Sequence, residues 1–178
     1  MKIVARIGLA GVLLAGSFGG SAVLAAPEDA APKVAVPAPI PVTRDNFVSL
    51  SWRQTGGFAG ITNTTLVEGN VISRGTPRPR AVGATGEAQS SSRVLSNKQL
   101  NQLVDKVREA NLPTLVGNYR QQGLMDGFNE VLVLTLSDDE GADQEYIIQN
   151  YGNKAPKAYY EFTGFFREFV NKKFAPRA

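Results

Sequence analysis

The chain has 178 residues, with 19 Lys and Arg against 16 Asp and Glu, and it contains neither cysteine nor histidine. These two absences exclude disulfide bonds, Ser-His and Cys-His nucleophile pairs, and zinc sites built from His and Cys. An enzyme would need carboxylates, Lys, Tyr or a bound cofactor, and the small net charge of +3 gives no general case for binding nucleic acid.

The N-terminal segment 1–25 has the pattern of a secretory signal peptide. Lys2 and Arg6 form a basic start, residues 7–20 are apolar or small, and a Val-Leu-Ala sequence ends at Ala25. We expect cleavage after Ala25 rather than an uncleaved membrane anchor, and therefore a secreted or periplasmic protein without stable membrane insertion. Removing this segment takes away two basic residues and no acidic ones, which leaves a net charge of +1.

The next segment, 26–45, is rich in Ala and Pro. Proline fixes φ and lacks an N–H donor, so we expect an extended, semi-stiff tether. A single folded domain is predicted to follow, over residues 46–176.

The domain is predicted to begin with three strands. In the first, Val48, Leu50 and Trp52 alternate onto one face. Residues 59–68 contain several β-branched side chains and form the second, and residues 70–73 form a short third strand.

The stretch 75–92 separates these strands from the first helix and is rich in Gly, Pro and Ser. A loop of this length inside a compact domain is uncommon, and it is usually either functional or disordered. We expect it to be a flexible, solvated and basic loop.

The first helix is indicated by a capping box, Ser96 to Gln99, and by a helical apolar stripe. The stripe consists of Leu100, Leu103, Val104 and Val107. Pro113 is expected to end the helix, because the residue before a proline avoids the helical region. A polar loop and an Asp126-Gly127 turn should follow.

The remainder is predicted to be a hairpin and a last helix. The sequence FNEVLVLTLS is apolar on both faces, which favours a central strand covered on both sides, and DDEGAD then turns it into QEYIIQN. Pro156 marks the start of the helix. Its buried stripe is predicted to be Tyr159, Phe162, Phe166, Phe169 and Val170. The order strand, strand, short strand, helix, strand, strand, helix predicts an α+β fold: a mostly antiparallel sheet with two main helices on one face.

Gly56-Gly57-Phe58-Ala59-Gly60 is the least ordinary stretch of the chain. The simplest interpretation is a hairpin end, in which Gly56 and Gly57 supply positive φ angles and Gly60 marks a bulge or a close backbone contact. Phe58 would then cover the end of the sheet. The stretch is not a nucleotide-binding loop, because no Lys-Ser or Lys-Thr pair follows it and a strand comes next.

Two other motifs have simple interpretations. The acidic DDEGAD turn lacks the spacing of an EF-hand calcium loop and is expected to be a solvated turn. Asn63-Thr64-Thr65 fits a glycosylation sequon, which has consequences only in a eukaryotic secretory pathway.

QTGGFAGI, between two strands, resembles the emfourin family of small bacterial inhibitors of thermolysin-like metallopeptidases such as protealysin. LNQLVDKVREANLPTL, DGFNEVLVLTL and APKAYYEFTGFF are similar to the first helix, the central hairpin and the last helix of that family. The similarity runs in order over about residues 46–170. The signal peptide, the tether and the 75–92 stretch depart from the family pattern.

The resemblance implies a protein that is not an enzyme and that binds a thermolysin-like metallopeptidase and occludes its active-site cleft. Because the signal peptide predicts export, the target would be a secreted or periplasmic enzyme. The implied contact residues are Gly56, Gly57, Phe58, Ala59 and Gly60, with Phe58 as the apolar anchor. The carboxylate of Asp126 is a further candidate, as a ligand for the zinc of the target enzyme. No catalytic residue, metal site or cofactor of the chain itself is implied.

Two other classes of function remain open on the residues alone. One is an envelope interaction module without inhibitory activity, held by its tether and contacting a partner through the basic loop. The other is an enzyme that works through carboxylates, although no pair of acids has a recognisable spacing.

Overall fold

A computed structural model describes residues 38–56, 61–76, 89–123 and 127–176. The strands are β1 (Phe47–Gly56), β2 (Ile61–Glu68), β3 (Val71–Thr76), β4 (Gln89–Val94), β5 (Gly117–Arg120), β6 (Asn129–Ser137) and β7 (Asp143–Tyr151). The helices are α1 (Asn97–Glu109), a short 3₁₀ helix (Leu112–Leu115) and α2 (Lys157–Phe174). The predicted signal peptide lies outside the described residues.

The described strands form one seven-stranded sheet in the order β4-β3-β2-β1-β6-β7-β5. Every neighbouring pair is antiparallel except β5 and β7, which are parallel. The predicted α+β class, with a mostly antiparallel sheet and two main helices, is confirmed. The sheet contains two strands that the sequence did not predict, β4 and β5.

The predicted boundaries of the 75–92 loop are wrong. Residues 75–76 complete β3, and residues 89–92 belong to β4, which pairs antiparallel with β3. The sequence of β4 is QSSSRV, so it lacks the apolar alternation by which strands are recognised, and Ser90 to Val94 are exposed. The connection 77–88 lies outside the described residues. The short strand β5 replaces part of the predicted polar loop.

The core lies on one face of the sheet, between the strands and the two helices. Leu132, Leu134 and Leu136 of β6 are fully buried there with the predicted apolar stripes of both helices. Val131 and Val133, on the opposite face of β6, are only half-buried. The strand is central, between β1 and β7, but the prediction that it is covered on both sides is wrong.

A register shift in β1 changes which side chains face the core. Phe47 pairs with Leu136 and Ser49 pairs with Thr135, so Val48 is an extra residue between the two pairs. Phe47 is therefore buried, whereas Val48 is half-buried, contrary to the predicted alternation. A bulge of this kind changes the face to which the residues before it point.

The packed domain extends further towards the N-terminus than predicted. The Ile40 N–H donates to the Tyr146 hydroxyl at 3.2 Å, and that hydroxyl donates to the Ala38 carbonyl at 2.9 Å. Val42 is only 5% exposed. The predicted end of the tether at residue 45 is therefore wrong. The extended, proline-rich segment from Ala38 forms no strand, but the Tyr146 side chain bonds two of its backbone groups and holds it against the domain.

The helices follow their predicted signals. Ser96 and Gln99 form the capping box of α1, and the four predicted apolar residues of that helix are its buried ones. The α1 helix ends at Glu109, before Pro113, which lies inside the 3₁₀ helix. Among the described residues, no helix is both long and apolar enough to cross a membrane.

Candidate functional site

Gly56 ends β1 in a conformation that only glycine adopts easily. Its φ is +138°, as the prediction of a positive φ required, and it pairs with Ile61 at the start of β2. A Cβ atom at this position would lie 2.8 Å from the Gly127 carbonyl oxygen and 3.0 Å from Phe128 Cα. The end of β1 thus packs directly against the backbone that leads into β6.

The other predicted site residues lie outside the described residues. These are Gly57, Phe58, Ala59, Gly60 and Asp126. Of the predicted site residues, the structure places Gly56, which lies beside Gly127, the residue after Asp126. The roles of the other five stay predictions.

Phe128 is an aromatic side chain at this end of the sheet that was not predicted as a site residue. It is 53% exposed and lies directly before β6. Its backbone is in contact with the position of Gly56. The only sequence signal for it was its place in the DGF motif, because a single Phe before an apolar strand is normally assigned to the core.

Two residues after Phe128 in the chain, Glu130 is a carboxylate that is only 8% exposed. Its Oε1 accepts a hydrogen bond from Gln54 Nε2 at 3.2 Å. Its Oε2 accepts from Asn150 Nδ2 at 3.2 Å and from the Tyr159 hydroxyl at 3.1 Å. Arg167 Nη2 lies 3.9 Å from Oε1. The carboxylate thereby joins β1, β6, β7 and α2.

A second set of bonds holds the segment that leads from β7 into α2. The Tyr160 hydroxyl donates to Asn150 Oδ1 at 3.2 Å. The backbone N–H of Ala155 points to the same pair, 3.1 Å from the Tyr160 hydroxyl and 3.3 Å from Asn150 Oδ1. Asn150 is 3% exposed, so this amide is a buried connection between the hairpin and the last helix.

Tyr159 acts in this network as a hydrogen-bond donor. Burial, and then the negative charge of Glu130, raise the pKa of Tyr159 far above its usual value. The hydroxyl therefore keeps its proton at physiological pH and can donate it in the hydrogen bond to Glu130. Arg167 packs its guanidinium 5.5 Å from the centre of the Trp52 ring, which places its positive charge beside the network.

A cleft of about 520 Å³ opens at this end of the sheet. Phe128 and Gly127 line one part of it, and Asn150, Tyr160 and Arg167 line another. The cleft thus combines hydrogen-bonded polar side chains with one exposed aromatic side chain, Phe128. The buried carboxylate of Glu130, which lines the cleft, is engaged by four side chains.

Sequence reasoning missed this network because its members are far apart in the chain. Gln54 is 76 positions from Glu130, and Tyr159 is 29 positions from it. The only available signal was Glu130 itself, a charged residue at the start of an otherwise apolar strand that is predicted to be buried.

No family model matches the chain, and no curated protein matches it.

Proposed function

We propose that the protein is an exported inhibitor of thermolysin-like zinc metallopeptidases, and that it acts by occluding the active-site cleft. In this proposal the signal peptide 1–25 is removed and the domain works outside the cytoplasm. The contact surface is the end of the sheet formed by Gly56, the connection 57–60, and the segment 126–128.

The close approach of Gly56 to Gly127 is the observation that supports this proposal best. It brings the end of β1, from which the GGFAG connection leaves, against the backbone of the residue after Asp126. These two segments are candidates for different reasons: Gly56 to Gly60 carry the family resemblance, and Asp126 offers a carboxylate for the zinc of the target enzyme. Phe128 adds an exposed aromatic side chain at the same place, and aromatic residues often dominate the energy of an interface.

The Glu130 network supports the proposal in a second way. An inhibitor loses less entropy on binding when its contact surface is already rigid. Hydrogen bonds from β1, β7 and α2 to the buried carboxylate of Glu130 hold the start of β6, the strand that follows Phe128 in the chain. The absence of histidine and cysteine from the whole chain also favours a binding role over an enzymatic one.

The test is an inhibition assay with the mature chain, from Ala26 onwards, and thermolysin. We expect inhibition, and we expect Phe128→Ala to raise the inhibition constant by at least about 30-fold, the size of a hot-spot loss of 2 kcal/mol. Val94→Ala is the matched control. Val94 is 66% exposed and lies in β4, at one edge of the sheet, and the strands β3, β2 and β1 separate β4 from β6. A parent protein that inhibits no thermolysin-like enzyme would favour the envelope interaction module instead.

A further inference from the structure

The strand β4 is an edge of the sheet, since in the part of the chain that the structure describes it pairs with β3 alone. The register identifies which of its backbone groups face the free side. Leu95 N donates to the Asn70 carbonyl at 2.7 Å, which continues the pairing of Val94 with Val71. Backbone bonds alternate along an antiparallel strand, so Ser90, Ser92 and Val94 turn their N–H and C=O groups away from β3.

The Ser92 carbonyl agrees with this assignment. It accepts a hydrogen bond from Nη1 of Arg93, at 3.0 Å, rather than a bond from the neighbouring strand. No proline or bulge interrupts β4 in the described residues, although both are common means of blocking an edge. Its free side is therefore able to accept a further strand.

A cleft of about 1070 Å³ lies beside this edge, between β4, the start of α1 and the end of α2. Phe165, Phe169 and Phe174 are among its lining residues. Arg93 places its guanidinium 5.7 Å from the centre of the Phe174 ring, which connects the strand to the end of α2. Arg93 pairs with the buried Ile72, so its side chain lies on the helix side of the sheet, as the cleft does.

The cleft contains positive charge without matching negative charge. Lys173 Nζ donates to the neutral Gln99 Oε1 at 2.9 Å, and neither Lys173 nor Arg93 pairs with a carboxylate among the described residues. Lys172 lies 3.9 Å from Glu168, the one acidic residue that lines the cleft. A carboxylate that entered the cleft would gain two unpaired cations.

We propose that the β4 edge and this cleft form a docking site for an extended acidic segment of a partner protein. The segment adds to the sheet beside β4 through the backbone groups of Ser90, Ser92 and Val94 that face away from β3. Its alternate side chains then point to the helix side, where a carboxylate meets Arg93 and Lys173. An apolar side chain two residues away packs against the phenyl rings. Pairing of β4 with a second copy is disfavoured, because it would bring Arg93 towards its own equivalent.

The probe is an acetylated and amidated peptide, Val-Glu-Val-Phe-Val-Glu, titrated calorimetrically into the mature chain. We expect it to bind, whereas Val-Lys-Val-Phe-Val-Lys should not. Lys173→Gln and Arg93→Gln should each weaken binding by about tenfold, the loss expected for one charge-assisted hydrogen bond. Lys98→Gln, which removes the same charge from a residue that does not line the cleft, should change affinity by less than about twofold.

Proline substitutions test the strand addition separately from the charge. Ser92→Pro removes an N–H that faces the free side, so the melting temperature should be kept and peptide binding lost. Ser91→Pro removes an N–H that faces β3 and should lower the melting temperature. Ser92→Ala controls for the hydroxyl, which lies 2.9 Å from the Ser73 hydroxyl, and it should bind like the parent.

Three results would overturn the proposal. In the first, the parent binds neither peptide. In the second, it binds the acidic and the basic peptide equally well. In the third, the Ser92→Pro protein binds the acidic peptide as well as the parent does. Dimerisation of the free protein that is abolished by Ser92→Pro, seen by sedimentation equilibrium, would assign the edge to a second copy instead. None of these results depends on inhibition of a peptidase, so this site and the proposed inhibitory surface are tested independently.

Discussion

The Tyr159 hydroxyl donates to Glu130 Oε2 across 3.1 Å and thereby bonds the last helix to the central strand β6. Both residues are buried, and Glu130 also lines the cleft beside Phe128. The charge of Glu130 is tolerated there because four side chains direct donors towards it. Removal of one donor therefore affects both the stability of the domain and the shape of the candidate site.

Tyr159→Phe should lower the free energy of unfolding by about 1–3 kcal/mol, because a buried carboxylate is left one hydrogen bond short. Urea titration measures the loss. The control is Tyr119→Phe, since the Tyr119 hydroxyl donates to the neutral Leu115 carbonyl at 3.1 Å in a half-buried position. It should cost about 0.5–1.5 kcal/mol. A loss for Tyr159→Phe no larger than for Tyr119→Phe would mean that the carboxylate network does not stabilise this region.

Gly56→Ala should destabilise the domain by about 1–3 kcal/mol, because it forces a side chain into a sparsely populated backbone conformation. The new Cβ would also lie 2.8 Å from the Gly127 oxygen. Gly75→Ala is the control: it is another strand glycine, but no heavy atom of the described residues crowds its Cβ position within 4 Å. Its thermal melt should stay close to that of the parent. Equal melting temperatures for the two variants would contradict the close approach at Gly56.

Leu132→Ala and Val133→Ala compare the two faces of β6. Leu132 is fully buried against the helices, so its truncation should cost about 2–5 kcal/mol. Val133 is half-buried on the other face, and its truncation should cost only about 1 kcal/mol. Denaturant midpoints of both variants measure the difference. Similar losses would indicate that something covers both faces of the strand.

Asp138 gives a pH dependence to the β6–β7 hairpin. Its Oδ1 accepts from Ala142 N at 2.8 Å and from Glu140 N at 3.0 Å. The Ala142 bond above all lowers the pKa of Asp138 below its usual 3.8. A lowered folded-state pKa means that the stabilisation is present above the unfolded pKa and is lost as the pH falls through the folded one.

Asp138→Asn should therefore lower the melting temperature at pH 7, and the gap to the parent should narrow as the pH falls below 3.8 and the Asp138 carboxylate takes up a proton. Asp139→Asn removes the same charge from the neighbouring residue, which takes no part in these bonds, and should show a smaller gap at pH 7. Thermal melts between pH 2 and 7 provide the measurement. A gap of constant size across this range would argue against a charge-dependent bond.

Local signals in the sequence predicted the helices well. Ser96 and Gln99 form the capping box that their spacing indicated, and the predicted stripe of α2, from Tyr159 to Val170, is buried. These predictions succeeded because capping and helical periodicity depend on residues within a few positions of each other. The α+β class followed from the order of such elements.

Features that depend on distant residues were not predicted. The serine-rich strand β4 exists through its pairing with β3, and its exposed side chains give no periodic pattern. The extended segment at Ile40 is held by Tyr146, 106 positions away. The Glu130 network likewise joins side chains that only the folded sheet brings together. Of the predicted contact residues, Gly56 alone lies within the described residues.

The most direct test of the proposed function compares folding with inhibition in one variant, Gly60→Val. Strands tolerate valine well, but its branched side chain would obstruct the close backbone contact with the peptidase that the proposed function requires at Gly60. A thermal melt and a thermolysin inhibition curve are measured for the variant and for the mature parent. We expect the parent to inhibit, and the variant to keep most of its melting temperature while losing inhibition. A parent without inhibition, or a variant that inhibits as well as the parent, would contradict the proposed occlusion of the cleft by this end of the sheet.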